Sequence, residues 1–437
     1  MATTLFTNVN VLSDARTNAR AAEVLVVDDV IEQVRWHGEG APLARNGARD
    51  DVRVIDGHGA TLMSGLCDAH THFTWNNGDL NALGPMPLEE HTLFAMRSAK
   101  TYIDSGYTMC VGAASAKARL DVVMRNAIDA GEIPGPRSLA AGMEICVTSG
   151  DLVVGIAQYA DGPEEMRKVV RRTMELGVDT IKLSMSGEEI TGKRRAAHNY
   201  FSEEEVIMAV TEAHRRHVRV AVHARAAESV KLAVRNGVDI TYHASFVDEE
   251  GLDLLEERKD TVFVAPGLNW LVATLHEAGP FGYPHEVAVA HGYEVELEAA
   301  IEGMKKMKKR GIRILHGGDY GFAWTPHGTY ARDMEHFVKL LGFTPLEALH
   351  SATTLGGEIM MMPDKLGKIA KGYKADLLLV DGDPVADITV LQDNTRLLAI
   401  MKNGVFHREP VTRRSEDDVK PNLTTQSVPA RDAVAHP

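Results

Sequence analysis

Leu62-Met63-Ser64-Gly65-Leu66-Cys67-Asp68-Ala69-His70-Thr71-His72-Phe73-Thr74-Trp75 sets two histidines two residues apart at the end of an apolar run. In a strand, side chains at i and i+2 share a face, so both imidazoles can reach one ion. Zinc, cobalt and manganese all accept neutral imidazole, and a strand end is rigid enough to hold them. Taken alone, the pair also suits two histidines on the wet face of a strand. A metal centre needs further ligands from the rest of the chain.

Working outward, short β-branched runs precede this stretch at Thr4 to Leu12, Ala22 to Val34 and Val52 to Asp56. Matching runs follow at Asp376 to Asp381, at Leu397 to Lys402, and beyond the Asn403-Gly404 turn at Val405-Phe406. We expect both chain ends, residues 1–60 and 366–410, to build one small β-sandwich domain. Between them strands alternate with helical periods, the pattern of parallel βα units. The strand candidates are Thr61 to Cys67, Tyr107 to Val111, Ser138 to Met143, Thr180 to Leu183, Val218 to Val222, Ile240 to Tyr242, Val262 to Ala265 and Ile312 to His316. Eight such units predict an α/β fold, a (β/α)8 TIM-type barrel over residues 61–365, with its active site at the C-terminal strand ends. Residues 411–437 are polar and aperiodic and read as a flexible tail.

A chain of 437 residues fits one barrel with a satellite domain, and its 44% hydrophobic and 25% charged residues are ordinary globular values. Its formal net charge of −14 opposes an electrostatic grip on nucleic acid or an anionic membrane. Cys67, Cys110 and Cys146 stand far apart in apolar surroundings and read as reduced core thiols. No secretory signal pattern opens the chain and no run approaches a membrane span, so a cytoplasmic location is expected.

Several metal-competent side chains fall at the expected strand ends. Lys182 lies in Thr180-Ile181-Lys182-Leu183, His223 follows Val222, His243 follows Tyr242, and Asp319 follows a His316-Gly317-Gly318 turn. Each alone is ordinary: a strand-end histidine is usually structural, and an aspartate there often caps a helix. Lys182 as an ammonium cannot bind a cation and would pair with Asp179 or Glu188; only chemical modification makes it a ligand.

With these residues in place, the chain resembles the metal-dependent amidohydrolase superfamily over most of residues 1–408. The motifs are Gly65 to His72, Thr180-Ile181-Lys182, Val222-His223-Ala224, Tyr242-His243-Ala244, Pro326-His327-Gly328, Pro345 to Leu349 with Ala352-Thr353, and Leu366 to Ile369 with Asp376-Leu377. The resemblance implies a barrel enzyme with one or two divalent ions, zinc first, with cobalt or manganese as alternatives. His70, His72 and Asp319 would hold one ion, His223 and His243 the second, and Lys182, carboxylated by carbon dioxide, would bridge them. Two nearby cations acidify a shared water to hydroxide and polarise the carbonyl under attack. Asp319, and with it His243, would be catalytic, Asp319 carrying the proton from that water to the departing nitrogen.

The chain also departs from the family pattern. Val111-Gly112-Ala113-Ala114 stands where many relatives have an Arg-Asp pair, and Ser149-Gly150-Asp151 where they have Gly-Gly-His. Trp75, Trp270 and Trp324 suggest an apolar mouth, with His327, Tyr283 and His285 as further candidate contacts to substrate; each also suits ordinary packing. Within the superfamily the chain looks most like phenylurea hydrolases and molinate hydrolase. This implies attack by metal-activated hydroxide on the C–N or thiocarbamate C–S bond of a small neutral amide, urea or carbamate, including phenylurea herbicides. One alternative is an Xaa-Pro dipeptidase or imidazolonepropionase-like enzyme, with Arg194, Arg195 or Arg225 as carboxylate anchor; another is a non-catalytic scaffold of the same fold. A small-molecule substrate and a homo-oligomer are the partners expected.

Overall fold

The computed structural model describes residues 2–14, 18–43, 52–150, 152–191 and 194–410. The expected tail at 411–437, and Asp151, lie outside them.

Both chain ends meet in one eight-stranded sheet. Its path runs Val405–Arg408, Leu397–Lys402, Leu377–Val380, Thr61–Ser64, Thr3–Leu12, Arg20–Val27 and Val30–Trp36, with Val52–Asp56 parallel to Thr3–Leu12. Alternation explains the strands: in Arg20–Val27 the side chains of Ala22, Val24 and Val26 are buried while their neighbours are partly or wholly exposed. These residues join Phe6, Ile31, Leu62, Leu379 and Met401 in a core of their own. The Asn403-Gly404 turn has positive φ at both residues, 50° and 73°, as a two-residue hairpin requires.

The middle of the chain is α/β with parallel sheets. One contains Ala157–Tyr159, Glu144–Cys146, Thr180–Ser184, Arg219–Ala224, Ile240–His243 and Phe263–Ala265 in that order; another contains Leu66–Thr71, Tyr107–Gly112 and Arg137–Leu139. Thr180–Ser184 and Tyr107–Gly112 are buried along their whole length, the mark of strands covered on both faces. Helices alternate with them. Pro163–Glu175 starts with proline at its first position, carries Glu164 and Glu165 in its first turn, and buries Met166, Val170 and Thr173 on one stripe. Glu203–His214 begins with a Ser202/Glu205 capping box. Among the described residues no helix is long and apolar enough to cross a membrane.

Three strand expectations are corrected. Thr61 to Cys67 is not one strand: Thr61–Ser64 belongs to the chain-end sheet, and Leu66–Thr71 opens the middle region. The break is at Gly65, where a Cβ would lie 2.2 Å from Thr108 Oγ1. Ser138 to Met143 likewise splits into Arg137–Leu139 and Glu144–Cys146, because Asp121 captures the Ala141 and Gly142 N–H groups and Gly142 turns to φ +68°. Ile312 to His316 forms no strand ladder, only a single parallel bridge from Ile314 to Val264.

Candidate active site

Strand register brings the chemistry together. Ser184 is level with His223, so Lys182, two residues before Ser184, projects to the same side as His223; His243, level with Ala224, ends its strand in a left-handed conformation, φ +72°, and joins them on the cavity wall. His70 near the end of Leu66–Thr71, His72 just beyond it, and Asp319 complete the group. All six line one cavity, together with Trp75, Leu80, Glu144, Leu152, Val153, Glu188, Ile190, Trp270 and Phe322.

The histidines form a continuous cluster. Ring centroids lie 5.1 Å apart for His70 and His72, 5.0 Å for His70 and His243, and 4.4 Å for His223 and His243. Tyr242 stacks on His70 at 4.1 Å and Trp75 on His72 at 4.3 Å, which fixes both rings. His72 Nδ1–H donates to the Ala114 carbonyl at 3.3 Å, so Nε2 turns to Asp319 Oδ1, 3.1 Å away. His223 Nε2–H donates to the Gly187 carbonyl at 3.1 Å, which leaves Nδ1 as its free lone pair.

Electrostatics favour ligand forms of these groups. Burial pushes His70, His223 and His243 well below the ordinary histidine range, so they stay neutral. Burial opposes ionisation of Asp319, but the adjacent His70 and His72 outweigh it and hold the carboxyl below its usual range. Burial also lowers the Lys182 ammonium, against the opposing pull of Glu144 and Asp319.

The residues fit a metal ion. Ligand atoms of His70, His72 and Asp319 lie within 4.8 Å of one another, all buried. His70 Nδ1, His243 Nδ1 and Asp319 Oδ1 have no hydrogen-bond partner although they are shielded from water. A separation near 3 Å is about what two ligands show around one ion bonded at roughly 2.0 to 2.2 Å. The 3.1 Å from His72 Nε2 to Asp319 Oδ1 has that value.

Other expected contacts fall elsewhere. His327 is not on the cavity wall: its Nε2–H donates to the Trp75 carbonyl at 3.1 Å, and its Nδ1 accepts from Tyr330 at 3.2 Å. Tyr283 bonds His291 at 2.6 Å, and Trp324 bonds Thr274 at 2.9 Å while stacking behind Trp270. His285 is bound to the Leu275 carbonyl. Asp179 is paired with Arg125, and Glu188 with Arg225, so neither is the partner first considered for Lys182.

The three arginines considered as carboxylate anchors are committed as well. Arg225 is buried between Glu188 and Glu296, 2.5 Å from each. Arg195 pairs with Glu189 at 2.8 Å, and Arg194 donates to the Ser149 carbonyl at 2.7 Å. Glu144 was missed on the wall. Its signal was a lone carboxylate inside the apolar run Leu139 to Val147, which must either be exposed or have a polar task.

Comparison with known proteins agrees with this geometry. The model of the amidohydrolase family matches residues 61–406. Ochratoxinase of Aspergillus niger is 26% identical over 384 residues, covering 80% of this chain and 76% of the relative. A prolidase solved with N-methylphosphonate-L-proline superposes with a TM-score of 0.82 at 26% identity, over 93% of this chain and all of that one. Phenylurea hydrolase B shares the fold, with a TM-score of 0.70 at 18% identity over 93% and 96% of the two chains. A family match over most of the chain, joined to a histidine–aspartate cluster at the strand ends, means that this protein belongs to the amidohydrolase family and is a hydrolase of that family.

Proposed function

We propose that the protein hydrolyses the carbonyl C–N bond of a small uncharged amide, urea or carbamate with the help of one or two divalent ions. The observation that carries this reading is the buried convergence of His70, His72 and Asp319, whose ligand atoms lie within 4.8 Å of one another at the strand ends. His70, His72 and Asp319 would hold the first ion, and His223 and His243 a second. Zinc best suits this nitrogen-rich set, with cobalt and manganese as alternatives. When bound, the metal supplies Lewis-acid activation of water and of the scissile carbonyl.

The chain's own groups do the rest. Asp319, held ionised, takes a proton from the attacking water and returns it to the leaving nitrogen. His243, kept neutral by burial, stands beside the reacting carbonyl. Lys182 has a weakened hold on its proton, the condition for its amine to add carbon dioxide and release a proton as a carbamate forms. Trp75, Trp270 and Phe322 supply apolar walls that exclude water around the scissile group.

The committed arginines support an uncharged substrate. A free carboxylate needs a cationic anchor, and among the described residues Lys182 is the only lysine or arginine on the cavity wall, which also carries Glu144, Glu188 and Asp319. The hydrolysis of a phenylurea or thiocarbamate belongs to the same reading. We also read the two parallel sheets as parts of one closed (β/α)8 barrel. Hydrogen bonds from Ala69 to His316, from Leu315 to Val264 and from Asp179 and Thr180 to Ala140 across the gaps support it. The chain-end sheet, curled on its own core, is read as the sandwich.

The test is elemental analysis of bound metal, then turnover before and after chelation of an N-aryl urea, a thiocarbamate, a neutral anilide and an Xaa-Pro dipeptide. We expect bound ions and chelation-sensitive cleavage of an uncharged substrate. Preferential cleavage of the dipeptide would overturn the neutral-substrate reading, and a metal-free, inert protein would overturn the hydrolytic one.

A further inference from the structure

A second set of buried polar groups lies beneath the cavity and takes no part in the chemistry above. Its centre is Asp333, near the start of the helix Arg332–Lys339 and wholly inaccessible. Asp333 Oδ2 accepts the Gly317 N–H at 3.0 Å and lies 3.2 Å from His316 Nδ1. Asp333 Oδ1 accepts the Asn269 N–H at 3.1 Å. With Nδ1 turned to that carboxylate, His316 Nε2 accepts from the Tyr107 hydroxyl at 2.7 Å.

Each of these bonds ends on a segment that carries a cavity residue. Gly317 is two residues before Asp319, and His316 accepts the Ala69 N–H at 3.0 Å, next to His70. A Cβ on Gly317 would lie 2.8 Å from His70 N, so this turn and the histidine strand are already in contact. Asn269 opens the helix Leu268–His276, which places Trp270 on the wall; its preceding Gly267 approaches His243 Nδ1 so closely that a Cβ would lie 3.0 Å away. Asp319 itself has φ +63°, a left-handed conformation that aspartate adopts more readily than most non-glycine residues, in the turn that Gly317 anchors to Asp333.

We infer that Asp333 is a positioning residue for the metal site: one carboxylate ties the Asp319 turn, the His70 strand and the Gly267–Trp270 segment into a single geometry. The inference rests on the metal reading given above. A carboxylate suits the task because it accepts on both oxygens at once, and an amide of the same shape loses one acceptor and gains an unpaired buried donor.

The test compares Asp333→Asn with Asp376→Asn, another buried carboxylate, which accepts the Asn403 N–H in the chain-end sheet. Both are purified metal-free and titrated with Co(II), recording affinity by chelator competition and the ligand-field spectrum. Asp333→Asn is expected to bind Co(II) roughly 10- to 100-fold more weakly with an altered spectrum, as loss of an outer hydrogen-bonding partner does. Asp376→Asn should keep wild-type affinity and spectrum even if it melts earlier. Wild-type Co(II) binding by Asp333→Asn would overturn the inference. Should that variant fail to fold, Tyr107→Phe, which removes the hydrogen bond that backs His316 against Asp333, takes its place; it is expected to weaken Co(II) binding and shift the spectrum in the same direction, and unchanged binding would overturn the inference. A wild-type protein that binds no Co(II) would instead overturn the metal reading itself.

Discussion

Asp319 occupies backbone space that only glycine, asparagine and aspartate enter cheaply. Asparagine therefore reproduces its backbone but not its charge. Asp319→Asn should keep its far-UV spectrum and lose about 100- to 10,000-fold in kcat, the range for removing a general acid–base group; a variant with wild-type turnover would remove Asp319 from the mechanism. His327 makes a different prediction. Burial, outweighing its bond to the Trp75 carbonyl, pushes it down to about 4, against about 6.5 in the unfolded chain. Between these values the unfolded state binds more protons, so stability falls as pH drops through the window, by about 3 kcal/mol for this residue. Buried His70, His223 and His243 act in the same direction in metal-free protein. The melting temperature of the metal-free protein should fall steadily from pH 6.5 to 5, with a shallower slope for His327→Gln.

Elements were legible in the sequence where periodicity acts alone. Thr180–Ser184, Arg219–Ala224 and Ile240–His243 were readable as apolar runs between helical periods; of the side chains expected at their ends, His243 closes its strand and His223 is next to last, whereas Lys182 lies in the middle of Thr180–Ser184. Ser138 to Met143 was misread because tertiary bonds to Asp121, 20 and 21 residues before Ala141 and Gly142, decide the backbone there. Tyr283, Trp324 and His327 were grouped by residue type, which carries no direction; the hydrogen bonds that turn them from the cavity come from His291, Thr274 and Trp75. The short helix Thr354–Ile359 offers a test of which effect wins at this scale. Alanine at Gly356 gains about 1 kcal/mol of helix propensity. Its Cβ, however, would lie 2.4 Å from Cys67 Cβ on the strand that carries His70, and overpacking of this kind costs about 1–3 kcal/mol or more. Gly356→Ala should therefore destabilise the protein in urea despite the better propensity; a stabilised variant would show that the strand yields freely.

Across the whole molecule, the chain-end sheet and the parallel-sheet region are bound by more than the peptide at Gly65. Arg137, at the edge of the three-stranded sheet, reaches Asn403 Oδ1 at 2.6 Å and Asp376 at 3.4 Å, and Lys402 Nζ donates to the Gly135 carbonyl at 2.7 Å. Removing a partner of a buried, charge-assisted bond costs about 1–3 kcal/mol. Arg137→Ala should accordingly lower the unfolding free energy measured in urea by that order, and a separate early transition would show that the chain-end sheet unfolds independently.

The approach of His72 to Asp319 has a consequence for folding as well as for chemistry. The two residues stand 247 positions apart in the chain, so an ion held between them would act as a clasp on a long loop, inside the still longer one closed by the chain-end sheet. Because the unfolded chain offers no such site, the affinity of a bound ion would become resistance to unfolding, about 2.7 kcal/mol when free metal is a hundredfold above its Kd. Metal supply would then govern how long each molecule survives heat and proteolysis, and a chain starved of metal would be short-lived before it was inactive.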